Sequence, residues 1–360
     1  MSTSEFLLWL ALAIGLLYGI VAQVSGFCLN SALRHQFTEG KGTKLRSFAL
    51  AMLVAMVGTQ AAASLGVIDL SQSIYQNPQA SWVLIVVGGM LFGFGMLRAR
   101  GCGARALVLF GQGNLRSLVV VLCMGITGFM TLTGVLGPLR DTLSQATLIT
   151  LQSNTFTSET GRWGFVIAFG LLLAFYITRD RQFWQHKRDV LAGLVIGLLI
   201  LAGWLVTGWI GFDEFEPKPV TSLTFVAPIG STIQYSMIAT GMELNFGIVT
   251  VIGVVLGALV AARLSGQFKL VGFERSADMP RYLVGAACMG MGGALAMGCS
   301  VGQGLTGIST LSFTSMLAFV GICIGGWIGV RFERSTVSTS EPIQRQSASQ
   351  QYQQSTSTSK

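Results

Sequence analysis

Charge is scarce in this sequence. Lys, Arg, Asp and Glu make up 11% of the 360 residues, and apolar residues make up 51%. A soluble domain carries about 25% charged residues, so the scarcity excludes a free-standing soluble enzyme or binding module. Histidine occurs twice, as His35 and His186, and both fall between apolar runs, in inner loops. No acid–base group therefore accompanies the cysteines. There is no Cys-x-x-Cys pair, no His-rich tract, no Met-rich entry motif and no nucleotide-binding glycine loop, which argues against a metal carrier and an ATP-driven pump. No carboxylate interrupts an apolar run, so the usual mark of proton coupling is missing. No cofactor and no metal are implied. The six cysteines follow no disulfide-framework spacing. The first apolar run has no basic stretch before it and no small-residue cleavage site after it, so it reads as a retained helix rather than a signal peptide.

What the sequence does have is a succession of long apolar runs. They are Phe6–Ala22, Ser47–Leu65, Trp82–Leu97, Ser117–Leu136, Gly164–Ile177, Val190–Trp209, Phe246–Ala262, Tyr282–Met297 and Ser312–Val330. Crossing the hydrocarbon core takes roughly 17–25 residues of helix, so the pattern predicts an all-α polytopic membrane protein with about nine transmembrane helices. Gly164–Ile177 is the shortest run, with Trp163 as an interfacial anchor. The net charge of +8 is spread between the runs rather than gathered on one soluble face, which suits a lipid bilayer and not nucleic acid. Arg34, Lys41, Lys44, Arg46, then Arg179, Arg181, Lys187, Arg188, then Arg263, Lys269, Arg275, Arg281, and finally Arg331 and Arg334 fall on one side. Asp69, the 137–161 loop with only Arg140, and Asp213-Glu214-Phe215-Glu216 fall on the other. The positive-inside rule then puts the N-terminus in the periplasm and the C-terminus in the cytoplasm of a bacterial inner membrane. The Ser/Thr/Gln-rich residues 335–360 read as a disordered cytoplasmic tail.

The chain also repeats itself. Gly88, Gly93, Gly95, Gly101 and Cys102 recur 197 residues later as Gly285, Gly290, Gly292, Gly298 and Cys299, and Gly128 matches Gly325 at the same offset. Upstream, Gly42, Leu45 and Gly58 meet Gly241, Leu244 and Gly257. This divides the chain into a first membrane repeat (1–140), a linking helix and inner loop (141–189) and a second repeat (190–334). With an odd crossing between them, the repeats are inverted, an arrangement in which a transporter's substrate path lies at the repeat interface. The connector at Cys102 carries Arg98, Arg100, Arg105 and Arg116, and the one at Cys299 (298–311) carries no charge, so the two face opposite sides.

Each connector reads as a helix, a Gly-Cys break, a short amphipathic piece and the next full helix. Irregular backbone at membrane depth is tolerated where it is buried or lines a polar cavity, so both breaks are expected to be re-entrant, with Gly101 and Gly298 permitting the sharp turn. Helices starting after each break would point their N-terminal amides at the centre, a ready anion site. Gly88, Gly93, Gly95 and their partners fit helix-packing positions instead. A third thiol, Cys28, follows the first run, and its counterpart region Phe225-Val226-Ala227-Pro228 lacks one. Gly302, Gln303, Asn30, Ser231, Thr232 and Gln234 are nearby polar or amide donors, and Arg105 follows Cys102 by three residues. Neutral, polarizable thiols suit a soft sulfur-containing anion better than a hard, strongly hydrated one. Cys123, Cys288 and Cys323 lie inside apolar runs as small buried hydrophobes.

The Gly-Cys-Ser-x-Gly-x-Gly run at 298–304, Phe-Cys-Leu at 27–29 and Gly-Cys at 101–102, together with the inverted nine-crossing pattern, resemble the YeeE/YedE family over residues 6–332. The best-understood branch of that family comprises thiosulfate transporters. The resemblance implies an hourglass-shaped protein whose three cysteines, by position Cys28, Cys102 and Cys299, pass thiosulfate along by hydrogen bonds without covalent intermediates. It also implies a small cytoplasmic sulfur-carrier protein as a partner of some members, and selenium or other sulfur compounds as substrates of others. The Arg-Ala-Arg-Gly-Cys-Gly-Ala-Arg surroundings of Cys102 and Met297 before Gly298 depart from the small residues expected there. Sulfite, sulfide-derived species or a selenium analogue therefore stay open as substrates. Two other classes stay open as well. A membrane sulfurtransferase with a persulfide carrier would need a low-pKa thiolate that repels an anion. A soft-metal transporter would use the three thiols as ligands.

Overall fold

The computed structural model describes residues 3–40, 42–77, 79–150, 154–156, 158–211, 219–273 and 278–333. The acidic stretch 213–216, Lys41, Arg275, Arg334 and the 335–360 tail lie outside the described residues. The elements are helical almost throughout: α1 Thr3–Ser25, α2 Leu29–Glu39, α3 Thr43–Ser64, α4 Trp82–Arg98, α5 Gly103–Gly111, α6 Leu115–Leu132, α7 Gly137–Ala146, α8 Glu159–Thr178, α9 Arg181–Gln185, α10 Lys187–Leu205, α11 Val226–Ile238, α12 Phe246–Leu264, α13 Met279–Leu295 and α14 Phe313–Glu333. The chain is an all-α polytopic membrane protein. Among the described residues, eight helical stretches are long and apolar enough to cross a membrane. The remaining expected crossing is α13, which has 17 residues. The linking run extends beyond its predicted 164–177 because Ser158 caps the helix at the amide of Gly161. The 137–161 segment is not wholly a loop: Pro138 in the first turn starts α7, and Leu148–Thr150 pairs antiparallel with Gln79–Ser81. His35, expected in a loop, lies on α2.

Small residues let these helices approach closely, as in membrane helix packing generally. α4 and α13 run antiparallel: Gly88 meets Gly292 and Ala296, and Gly95 meets Gly285 and Met289. α1 runs parallel to α12, with Gly15 against Thr250 and Gly253, and α3 runs parallel to α10, with Ser47 and Leu50 against Gly193. α4 also runs parallel to α14: a Cβ on Gly93 would run into the Ile322 carbonyl and lie 2.8 Å from the Gly326 amide. Each of these interfaces joins a helix before α8 to one after it. The core is built between the two parts of the chain rather than within each.

Basic residues collect on one face of the bundle. Glu333 at the end of α14 takes Arg34 of α2 at 3.1 Å and also Arg281 of α13, and Arg46 pairs with Asp180 at 2.9 Å. On the other face Asn154 donates to the Tyr75 carbonyl at 2.9 Å and to Thr314 Oγ1 at 2.9 Å, tying three loops together. Cys123, Cys288 and Cys323 are half-buried rather than buried, and Cys123 donates to the Leu283 carbonyl of α13 at 3.5 Å.

Candidate functional site

α4 and α13 end alike. In the first, the Arg100 and Gly101 amides donate back to Leu97 and Met96 at 3.2 and 3.0 Å; in the second, those of Met297 and Gly298 donate to Ala294 and Gly293 at 3.3 and 2.8 Å. Both form the paired closure of a Schellman end. The left-handed residue is not the glycine: Arg100 has φ 57° and Met297 φ 56°. These are the two residues that depart from the expected small-residue pattern, and each occupies the backbone position where glycine is least strained. Gly101 and Gly298 serve as the next step of the turn, and a Cβ on Gly298 would come within 3.1 Å of Gln303 Cγ.

Each turn delivers a cysteine to the start of a short helix. Cys102 is the N-cap of α5, and its carbonyl accepts from the Ala106 amide at 2.9 Å. Cys28 is the N-cap of α2, its carbonyl accepting from Ala32 at 3.0 Å. Cys299 opens the helical stretch 300–309, where the Gln303 amide reaches its carbonyl at 2.7 Å and the Gly302 amide donates to its sulfur at 3.2 Å. That stretch is π-helical over Gly302–Gly307 and buried on every side, so it is not the amphipathic piece expected. All three thiols are buried. Three helix N-termini, each with partial positive charge, thus hold the three sulfurs.

The structure brings Cys28 and Cys102 into contact, Sγ to Sγ at 3.3 Å. Arg105 projects from α5 to donate to the Ala22 carbonyl at 3.0 Å, pinning α5 to α1 near Cys28. Asn30 is buried two residues past Cys28, and its Oδ1 has no hydrogen-bond partner among the described residues. Gln303 donates to the Ala296 carbonyl at 2.5 Å and leaves its Oε1 likewise unpartnered. The Ser300 hydroxyl approaches the Cys102 thiol without reaching hydrogen-bond geometry to any described residue. A site built only for stability would seldom strand this many buried polar atoms. Ser231 lines a cavity on the less basic face, whereas Thr232 is turned back on its own helix, donating to the Pro228 carbonyl at 2.7 Å.

Several neighbours were not foreseen. Tyr18 of α1 is fully buried and lies near all three thiols and Arg105. Its ring packs on Phe225, centroids 5.2 Å apart, and Phe225 is the N-cap of α11, the thiol-less fourth position. Phe27, Phe48 and Phe319 stack beside the site at 5.6 and 5.9 Å. Lys44 places its ammonium over Gly26, two residues before Cys28. An aromatic in an apolar run reads as core, so only tertiary placement distinguishes Tyr18 from its neighbours.

A multi-pass membrane protein whose buried centre gathers three thiols at three helix N-termini has the build of a small-anion transporter. The family comparison gives the same class. The chain belongs to the Sulphur transport family, whose model matches residues 24–328, and this is the YeeE/YedE resemblance seen in its motifs. It is 27% identical over 343 residues to the thiosulfate transporter TsuA of Spirochaeta thermophila, covering 89% of this chain and 97% of that one. It is 22% identical over 340 residues to the thiosulfate transporter TsuA of Escherichia coli K12, covering 87% and 91%. A shorter match, 30% over 97 residues, covers 26% of this chain and 22% of the probable transporter YedE of Escherichia coli K12.

Proposed function

We propose that this protein takes up thiosulfate, or a small sulfur-containing anion closely akin to it, across the bacterial inner membrane without chemical change. The observation that carries the reading is the meeting of three buried cysteines at three helix N-termini, two of them in thiol contact at 3.3 Å. A thiol donates weakly and is polarizable, so it can hold a soft anion without trapping it. The helix N-termini and Arg105 supply positive potential without a metal. The path runs from the cavity-bearing face past Gly298, Gly302, Gln303 and Cys299 to the Cys28–Cys102 pair. It then passes Asn30, Gly101 and Arg105 toward the arginine-bearing face. Two sulfurs in contact leave no room for an anion between them, so they part as it passes. Relatives named thiosulfate transporters over nearly the whole chain support the substrate, and the inverted repeat supports a path between the halves. The distribution of basic residues supports a periplasmic N-terminus and a cytoplasmic C-terminus, and a small cytoplasmic sulfur-carrier protein would receive the anion there.

The test is growth of a host unable to import sulfate, with thiosulfate as sole sulfur source. The native protein restores growth, and Cys28→Ala, Cys102→Ser and Cys299→Ser each abolish or strongly reduce it at equal membrane abundance. Full rescue by all three variants would remove the thiol path. Absence of rescue by the well-expressed native protein would remove thiosulfate.

A further inference from the structure

The cavity-bearing face has two openings that converge. One, of about 320 Å³, is lined by Arg140, Ser81, Ser144 and Gly298. The other, of about 1000 Å³, is lined by Ser231, Tyr235 and Asn245 among others. Thr224 lines both. Directly inward of Thr224 stands Gly302: a Cβ there would sit 2.5 Å from Thr224 Oγ1 and 3.3 Å from Tyr75 Oη. The Gly302 amide in turn holds the Cys299 sulfur. Two hydroxyls therefore stand between the outer cavities and the first buried thiol.

Tyr75 is built into that position. Its exposure is 3%, its amide donates to Ser73 Oγ at 3.2 Å, and its carbonyl accepts from Asn154 Nδ2. Its ring meets Trp204 edge-on at 6.4 Å, and Trp204 is itself fixed through Nε1 to Ser309 Oγ at 3.1 Å. Yet the Tyr75 hydroxyl, for which a buried tyrosine normally finds a partner, approaches the Thr224 hydroxyl without reaching hydrogen-bond geometry to any described residue. A fixed, buried hydroxyl with its donor unspent can still take a ligand oxygen, and its neighbour Thr224 lines both cavities. Thr224 immediately precedes Phe225, the N-cap of α11 where the fourth thiol is missing.

We infer that Tyr75 and Thr224 form a hydroxyl port that takes the oxygens of the incoming anion and hands its sulfur end to Cys299, so that the fourth position of the path is filled by hydroxyl chemistry. The port rests on the proposed thiosulfate path and adds its selectivity. Hydroxyls are strong donors to the hard oxygens of a sulfur oxyanion, whereas the thiols beyond suit its soft terminal sulfur. A sulfur anion without oxygens gains nothing at the port. Burial also raises the Tyr75 phenol above its ordinary ionisation range, which keeps it a neutral donor.

The experiment is uptake of sulfur-labelled thiosulfate into cells carrying the native protein, Tyr75→Phe, Thr224→Val or Thr224→Ser, at matched membrane abundance. Tyr75→Phe and Thr224→Val raise the half-saturating concentration by about tenfold, the loss of one hydrogen bond to a charged ligand, and change maximal uptake much less. Thr224→Ser restores near-native half-saturation. Unlabelled hydrosulfide, which has no oxygen, competes with label more effectively in Tyr75→Phe than in the native protein. Unchanged half-saturation in both Tyr75→Phe and Thr224→Val overturns the port while leaving the thiosulfate path intact. A drop in maximal uptake alone, not reversed by Thr224→Ser, shows a structural role and overturns it too. No uptake by the native protein overturns both readings together.

Discussion

Arg100 and Met297 hold the same left-handed backbone at φ 57° and 56°, and they differ in what compensates it. Arg100 follows the C-terminal turn of α4, where a cation interacts favourably with the helix dipole. Met297 is 42% exposed at the rim of the smaller cavity and has no such compensation. Replacing Met297 with glycine removes the Cβ clash of the left-handed conformation and stabilises the folded protein by about 1 kcal/mol. A higher thermal midpoint of the detergent-solubilised variant checks this, and a lower one would remove the strain account. The same reasoning explains why the basic Arg-Ala-Arg surroundings of Cys102 do not disturb the turn. Its left-handed position needs a backbone shape, and Arg98, the other arginine, is turned away to stack over Phe332 at 5.3 Å.

At the scale of the elements, the glycines divide by task. Gly93 is a packing glycine, because α14 passes so close that any Cβ meets its backbone, which cannot rotate aside as a side chain can. Overpacking a well-filled interface costs about 1–3 kcal/mol and sometimes more. Gly93→Leu is therefore expected to lose the monodisperse peak on size-exclusion chromatography in detergent. Gly164→Leu on α8 serves as the comparison, since nothing lies within 4 Å of a Cβ there; it keeps the peak. Equal behaviour of the two variants would contradict the close α4–α14 crossing. The short helices answer to different rules. α5 and the 300–309 stretch are positioned by what precedes them, a Schellman turn, and by side-chain ties such as Arg105 to Ala22 and Thr306 to the Leu223 carbonyl at 2.6 Å.

For the whole molecule, the contacts between α1 and α12, α3 and α10, and α4 and α13 make the two parts of the chain interdependent. That interlocking is how Cys28 and Cys102 from one part come to lie near Cys299 and Ser300 from the other, and the proposed path would be lined from both sides at once. The ion-pair network of Arg34, Glu333 and Arg281 closes the arginine-bearing face. In the proposed topology that face is cytoplasmic. A green fluorescent reporter fused after residue 333 should be fluorescent and a phosphatase at the same point inactive. The reverse result would invert the proposed direction of every step along the path.

Much of this was legible in order of residues alone. Apolar runs of sufficient length determined the crossings, since a bilayer imposes its thickness on any helix that spans it. The 197-residue recurrence of Gly-Cys located both breaks, because glycine recurs where a backbone turns or touches another. Cys28, Cys102 and Cys299 stood out as candidates by their adjacency to turns and breaks. Tertiary structure alone decided the rest. It placed the left-handed strain on Arg100 and Met297 rather than on the adjacent glycines, and it buried the 300–309 stretch on all sides. It set Cys28 against Cys102, and it brought Tyr18, Tyr75 and Thr224 to the thiols from three distant segments. The physical reason is that crossings and turns depend on local geometry and solvent, which each stretch of sequence carries with it. Contacts across a bundle depend on where separate helices end, and no local pattern records that.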